Sequence, residues 1–164
     1  MDKEPARYLR ITVATQALDL IENGHIMKTY PVSTAKNGVG ELNGSGCTPR
    51  GWHVIRAKIG AGLPIDTVFV ARRPTGEIYD ARLGAENPHR DWILSRILWL
   101  GGLEPGFNRF GNVDTASRYI YIHGSRDAGV TGQPLSHGCV RMKSPDVVEL
   151  FDHVPAGLPV IIVE

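Results

Sequence analysis

Glycine and proline punctuate this chain so often that no segment runs far before a turn residue interrupts it: 19 glycines and 11 prolines fall within 164 residues. Punctuation at that density favours many turns and short strands. The hydrophobic alternation agrees. Tyr8 to Val13 presents Leu9, Ile11 and Val13 at every second position, and Ala17 to Glu22 alternates in the same way with Leu18 and Leu20. A period of two puts those side chains on one face of a strand. Asn23-Gly24 then separates this segment from His25 to Ser33. These two residues tolerate the positive φ that both central positions of a type I′ hairpin turn require. A β-meander is therefore expected over residues 8–33.

The remaining segments extend the pattern. Trp52 to Ile59 reads as a strand, with Trp52 and Val54 alternating before Arg56 interrupts. Thr67 to Ala71 and Glu77 to Ala81 read as a second hairpin joined across Arg72 to Gly76, followed by a polar connection at 82–91. Asp91 to Leu100 fits a helix face through Ile93, Ile97 and Leu100, yet it is short and breaks at Gly101-Gly102. Its periodicity alone leaves helix and strand open. Arg118 to Ile122 alternates Tyr119 and Tyr121 against Ile120 and Ile122 and reads as a strand. Ser144-Pro145-Asp146 is a helix start, with a serine cap, a first-turn proline and an acid at the positive dipole end, running to about His153. Pro159 to Val163 is a last strand. Thr34 to Gly51 is a long, glycine-rich loop, of the kind that is usually functional in a compact domain. The fold expected from these segments is one mainly β domain over residues 1–164 with one clear helix.

Charge excludes some functions. The 18 basic and 17 acidic residues nearly cancel, and no basic run exceeds Arg72-Arg73, so nucleic acid has no electrostatic footprint here. Apolar runs fall far below the roughly 20 residues of a membrane helix. The segment from Met1 to Val13 mixes acids with bases and lacks the apolar stretch of a secretory leader. If Met1 is the natural start, a cytoplasmic location with Cys47 and Cys139 reduced is expected. In a chain trimmed from a longer one, the expectation becomes periplasmic or extracellular.

The chemistry concentrates between Ile122 and Met142. His123-Gly124 opens this stretch, eleven residues with Gly129, Gly132 and Pro134 follow, and Ser136-His137-Gly138-Cys139 closes it. A cysteine is a nucleophile only as thiolate, so a catalytic one needs a nearby base or cation. His123, at the end of an expected strand, is the candidate base. Gly138 lets a carbonyl substrate approach the backbone of Cys139. Successive N–H groups in a tight turn at 137–139 aim at one point and suit an oxyanion. Two other readings stay open on these residues alone: a buried structural cysteine, and a metal site from His123, His137 and Cys139 that needs a fourth ligand such as His153 or Cys47.

The same residues resemble a known family. His123-Gly124, residues 125–135 and Ser136-His137-Gly138-Cys139-Val140-Arg141-Met142 are similar to the signature of the L,D-transpeptidase catalytic domain, the YkuD family, with no gap. Thr48-Pro49-Arg50-Gly51-Trp52 resembles the family's Thr-Pro-x-Gly-aromatic element near the site. Ser95-Arg96-Ile97-Leu98 and the run from Arg118 to Gly124 also look like family segments, so the resemblance spans residues 8–163 and tips 93–100 towards strand. It implies a mostly β, sandwich-like or barrel-like fold with one or two short helices, and no cofactor or metal. It implies that Cys139 attacks the carbonyl of the L,D bond between the third residue of a peptidoglycan stem peptide, often diaminopimelate, and D-Ala. His123 would take the thiol proton, the Gly124 carbonyl would orient its ring, and the N–H groups of His137, Gly138 and Cys139 would bind the oxyanion. Ser136 and His137 would shape that turn. Arg141 would hold a substrate carboxylate or brace the loop, and Trp52 would touch substrate.

Water as acceptor gives an L,D-carboxypeptidase, and an amine gives a 3→3 cross-link or D-amino-acid exchange. Without a leader, a carboxypeptidase acting on recycled muropeptides is the leading expectation, with the transpeptidase second. The loops 34–51 and 82–91 are candidate substrate walls, and Cys47 is a bystander or an oxidation partner of Cys139. A non-catalytic peptidoglycan-binding module and a Cys/His metal protein are the readings of another class. The expected partner is a stem peptide or muropeptide, with neither nucleic acid nor membrane; the sequence carries no sign of oligomeric state.

Overall fold

The alternating N-terminal segments pair as their turn residues demand. In the computed structural model, which describes residues 3–164, β1 (Arg7–Thr12) runs antiparallel to β2 (Ala17–Glu22), with Leu9 opposite Leu20 and Ile11 opposite Leu18. Asn23 and Gly24 both take positive φ, 50° and 81°, and turn the chain into β3 (His25–Ser33). Asp19 is buried between these strands and stays satisfied through Arg10 at 3.0 Å and Thr29 Oγ1 at 2.6 Å.

Five more elements, β4 (Gly51–Ile59), β5 (Thr67–Val70), β6 (Arg73–Ile78), α1 (Ala81–Glu86) and β7 (Ile93–Gly102), precede the strand that carries His123, β8 (Tyr121–Ser125). The chain ends in β9 (Val140–Lys143), α2 (Ser144–His153) and β10 (Pro159–Val163). The ten strands form one sheet in the order β4-β10-β1-β2-β3-β9-β8-β7-β5-β6, and β4 also pairs with β7. That last pairing closes the strands from β4 to β7 into a barrel-like ring, and the β5–β6 hairpin extends from it. Closure removes most of the edges that an open sheet exposes. Leu9, Ile11, Leu18, Leu98, Ile122 and Val160 pack in the core with Val147, Leu150 and Phe151 of α2. No helix among the described residues is long and apolar enough to cross a membrane.

One topological fact positions the motif. β8 and β9 lie side by side and parallel, with Ile122 opposite Val140 and His123 opposite Arg141. Parallel neighbours need a crossover of about a dozen residues or more, and residues 126–139 are that crossover. Its last residue, Cys139, therefore arrives beside the strand that carries His123.

Several local expectations shift. The second hairpin turns at Ala71-Arg72, with φ of 48° and 65°, and Pro74-Thr75-Gly76 belong to β6 instead. β6 is an edge strand, where the missing N–H of Pro74 is tolerated. The polar stretch after it begins with α1, capped by Asp80, whose side chain accepts from Leu83 N at 2.7 Å. Residues 93–100 are strand. β8 starts at Tyr121 rather than Arg118, because Tyr119 sits in a turn with φ of 56°, and this moves His123 from a strand end to mid-strand. Ser144 is the first helical residue and not the cap; its buried hydroxyl faces Ser95 instead of the helix N–H groups.

Candidate active site

His123 is buried in the middle of β8, and the strand fixes its backbone. Its Nδ1 lies 2.7 Å from the carbonyl of Gly124. A carbonyl only accepts, so Nδ1 carries the ring proton and Nε2 keeps a free lone pair. Gly124 has to be glycine: a Cβ there would collide with the backbone carbonyl of Leu94 on β7. The β7–β8 pairing that presents His123 therefore depends on the residue beside it.

The turn at 136–139 is built by serine and glycine. Ser136 Oγ donates to the Cys139 carbonyl at 2.5 Å and accepts from Gly138 N at 3.2 Å. Gly138 has φ of 134°, and a side chain there would press on Ile120 Cδ1 at 3.1 Å and the Cys47 carbonyl at 3.3 Å. Thr48 Oγ1 donates to the Gly138 carbonyl at 2.9 Å. The Gly138 N–H is thus committed to Ser136, which removes it from the expected trio of oxyanion donors. The N–H groups of His137 and Cys139 have no acceptor among the described residues.

Cys139 is half-buried and packs with Phe69, Ile97 and Tyr121. Its thiol donates to the Tyr119 carbonyl at 3.4 Å, and Tyr121 N donates to the sulfur at 3.4 Å. Burial pushes the thiol up to about 12 and holds the His123 imidazole below its ordinary value. Both shifts have the same cause, the cost of a charge away from water, so the resting pair is a neutral thiol and a neutral imidazole.

Cys139, His123, Ser136, His137 and Arg141 line one cavity of about 490 Å³. Its other walls are Ala71 and Arg72 from the β5–β6 turn, Asp91 and Ile93, and the run from Arg118 to Tyr121, of which only Asp91 falls in an expected wall, 82–91. The charged residues among them carried no local motif. The loop 34–51 lies behind the turn rather than along the cavity. Arg118 ties that loop down by donating to the carbonyls of Gly40, Glu41 and Cys47, at 3.2, 3.1 and 2.6 Å. Arg141 is paired with Asp91 at 3.2 Å.

Trp52 does not reach the cavity. It lies on β4 opposite Ile161 and packs edge-on against Tyr8, ring centroids 5.5 Å apart, away from the residues expected to meet substrate. Cys47 points its thiol at the carbonyls of Asn37 and Ser45, at 3.5 and 3.6 Å. Among the described residues, no cluster of three histidine, cysteine or acidic side chains could hold a metal ion.

Comparisons with known proteins converge on one family. Residues 6–162 match the model of the L,D-transpeptidase catalytic domain, YkuD. YkuD of Bacillus subtilis (strain 168) is 24% identical over 155 residues, covering 94% of this chain and 65% of that protein. Among solved structures, the L,D-transpeptidase (residues 123–326) from Xylanimonas cellulosilytica DSM 15894 superimposes with a TM-score of 0.57 at 18% identity, over 99% of this chain and 62% of that one. The L,D-transpeptidase LdtMt1, solved in complex with imipenem, gives 0.56 at 19% identity, over 96% and 59%. The chain thus spans less than two thirds of the length of each. With the family model covering nearly every residue, the chain belongs to the L,D-transpeptidase catalytic domain family.

Proposed function

We propose that this protein performs cysteine-dependent acyl transfer on the L,D peptide bond of peptidoglycan stem tetrapeptides. The observation that carries this reading is the shared cavity of Cys139 and His123, with Nδ1 of His123 spent on the Gly124 carbonyl and Nε2 left as a base. The steps follow from a neutral pair. The thiol leaves the Tyr119 carbonyl and gives its proton to Nε2 as sulfur attacks the carbonyl carbon between the third residue and D-Ala. Negative charge develops on the carbonyl oxygen, and the free N–H groups of His137 and Cys139 are its donors. The C–N bond breaks, Nε2–H protonates the leaving amine of D-Ala, and a thioester remains. Water then releases the tripeptide and restores the thiol, the L,D-carboxypeptidase outcome. An amine from a second stem makes a 3→3 cross-link instead.

Incubation with a disaccharide-tetrapeptide, followed by mass spectrometry, tests this. Loss of one D-Ala without dimers is expected, and dimers would assign amine transfer. Exposure to imipenem should add one acyl group at Cys139 and none to Cys139→Ala. Absence of both the adduct and D-Ala release would overturn the reading.

A further inference from the structure

Three arginines line the Cys139 cavity, and the fold treats them differently. Arg141 is neutralised by Asp91 at 3.2 Å. Arg118 spends its donors on the backbone carbonyls of the 40–47 loop. Arg72 has neither a carboxylate nor a carbonyl partner among the described residues. Its one polar contact is Nη1 donating to Tyr121 Oη at 2.9 Å. The guanidinium is nonetheless held in place, over the Tyr119 ring at 4.6 Å and the Trp99 ring at 5.1 Å. A second cation, Arg56, lies over the same indole at 4.5 Å, also without an acidic partner among the described residues.

Positive charge that the protein leaves unpaired, on a planar fork that two rings hold still, suits an anion arriving with the ligand. A guanidinium with most of its N–H groups uncommitted recognises a carboxylate in bidentate fashion. Because stacking has already ordered the side chain, less entropy is lost on binding.

We propose that Arg72 docks a carboxylate of the acyl donor, so that the site prefers donors bearing that carboxylate free over donors bearing it amidated. This inference rests on the acyl-transfer reading above. Two such groups flank the scissile bond of a stem tetrapeptide, and it is one of these that Arg72 docks: the terminal carboxylate of D-Ala or, where the third residue is diaminopimelate, its side-chain carboxylate. Arg72 acts on the donor, and the bond-making groups remain Cys139 and His123.

The test is equilibrium binding by calorimetry in the Cys139→Ala background, which removes turnover. Four tetrapeptides are compared: both carboxylates free, the side chain amidated, the terminus amidated, and both amidated. One of the two single amidations should weaken binding roughly 10- to 100-fold, the usual range for a charge-assisted hydrogen-bonded pair, and which one does so identifies the docked group. Arg72→Gln should weaken the free peptide by a similar factor and erase the difference. Arg72→Lys should keep a reduced preference. The proposal is overturned if no peptide binds, if all four bind alike, if Arg72→Gln retains the preference, or if Gln and Lys variants weaken all four equally, as a purely structural stack would. A protein that binds with this preference yet releases no D-Ala would sink the acyl-transfer reading and leave the docking role standing.

Discussion

Cys139 sits half-buried beside fully buried His123, and the cost of placing a charge there holds both uncharged and sets their pH behaviour. With the thiol pushed up to about 12, almost no thiolate exists near neutrality. Alkylation of Cys139 by iodoacetamide should therefore be slow at pH 7 and climb without a plateau up to about pH 10. An inflection below pH 7 would reveal a preformed thiolate–imidazolium pair and contradict the burial argument. The proposed donor acylation would escape this penalty, because in it the proton moves to Nε2 as the sulfur attacks. His123→Gln should then lower the acylation rate by about 10²–10⁴-fold, the usual worth of a general base, read in single-turnover mass spectrometry. At this scale the candidates were legible: a histidine–glycine pair and a Ser-His-Gly-Cys turn mark a candidate base and a candidate nucleophile by residue type. Arg72 and Tyr119 were not, because each is ordinary in its own sequence neighbourhood and becomes a cavity wall only through pairing.

Among the elements, β7 carries the clearest irregularity. Its register with β8 shifts between Leu94 and Ile97, and buried Ser95 adopts φ of 72°, a conformation costly for a residue with a Cβ. The hydroxyl compensates. It accepts from Asp66 N at 2.8 Å and donates to Ser144 Oγ at 2.8 Å, joining three elements around one atom. Ser95→Ala leaves a buried N–H and a buried hydroxyl without this partner, so urea unfolding should report a loss of about 1–3 kcal/mol. An unchanged midpoint would mean that water replaces the hydroxyl. The bulge also explains why residues 93–100 read ambiguously: alternation that slips a residue halfway resembles neither period cleanly. The serine cap expected for α2 failed for the same reason, since Ser144 is claimed by β7. The hairpin turn was misplaced because Gly76 and Pro74 are stronger turn signals than Ala71 and Arg72, whose positive φ is imposed by strand pairing.

Across the whole molecule, acid should act through buried histidine before it acts through carboxylates. His53 is fully buried on β4; its Nδ1 donates to the Gly51 carbonyl at 2.9 Å, and Nε2 sits 3.1 Å from Thr115 Oγ1. Burial pushes it down from 6.5 to about 4. Between those values the unfolded chain binds a proton that the folded protein refuses. Stability is therefore complete above pH 6.5, falls as pH drops through the window, and levels off below about pH 4, with a span of up to about 3 kcal/mol. His123 is shifted in the same direction and adds to the fall. Urea midpoints at pH 7 and pH 4.5 should show the drop, and His53→Asn should show a smaller one. An equal drop in the variant would assign the effect elsewhere.

What the sequence by itself determined here is local. Alternation with period two and dense turn residues specified a mainly β chain, and the residues from His123 to Cys139 carried the resemblance to the L,D-transpeptidase signature, because residue type and spacing along one segment are written in the chain itself. Only the tertiary structure decided that β8 and β9 run parallel, that β4 meets β7 to close the ring, and that Arg72 reaches Tyr121 from 49 residues away. Those outcomes depend on which faces bury against which, and no single segment contains both sides of a contact.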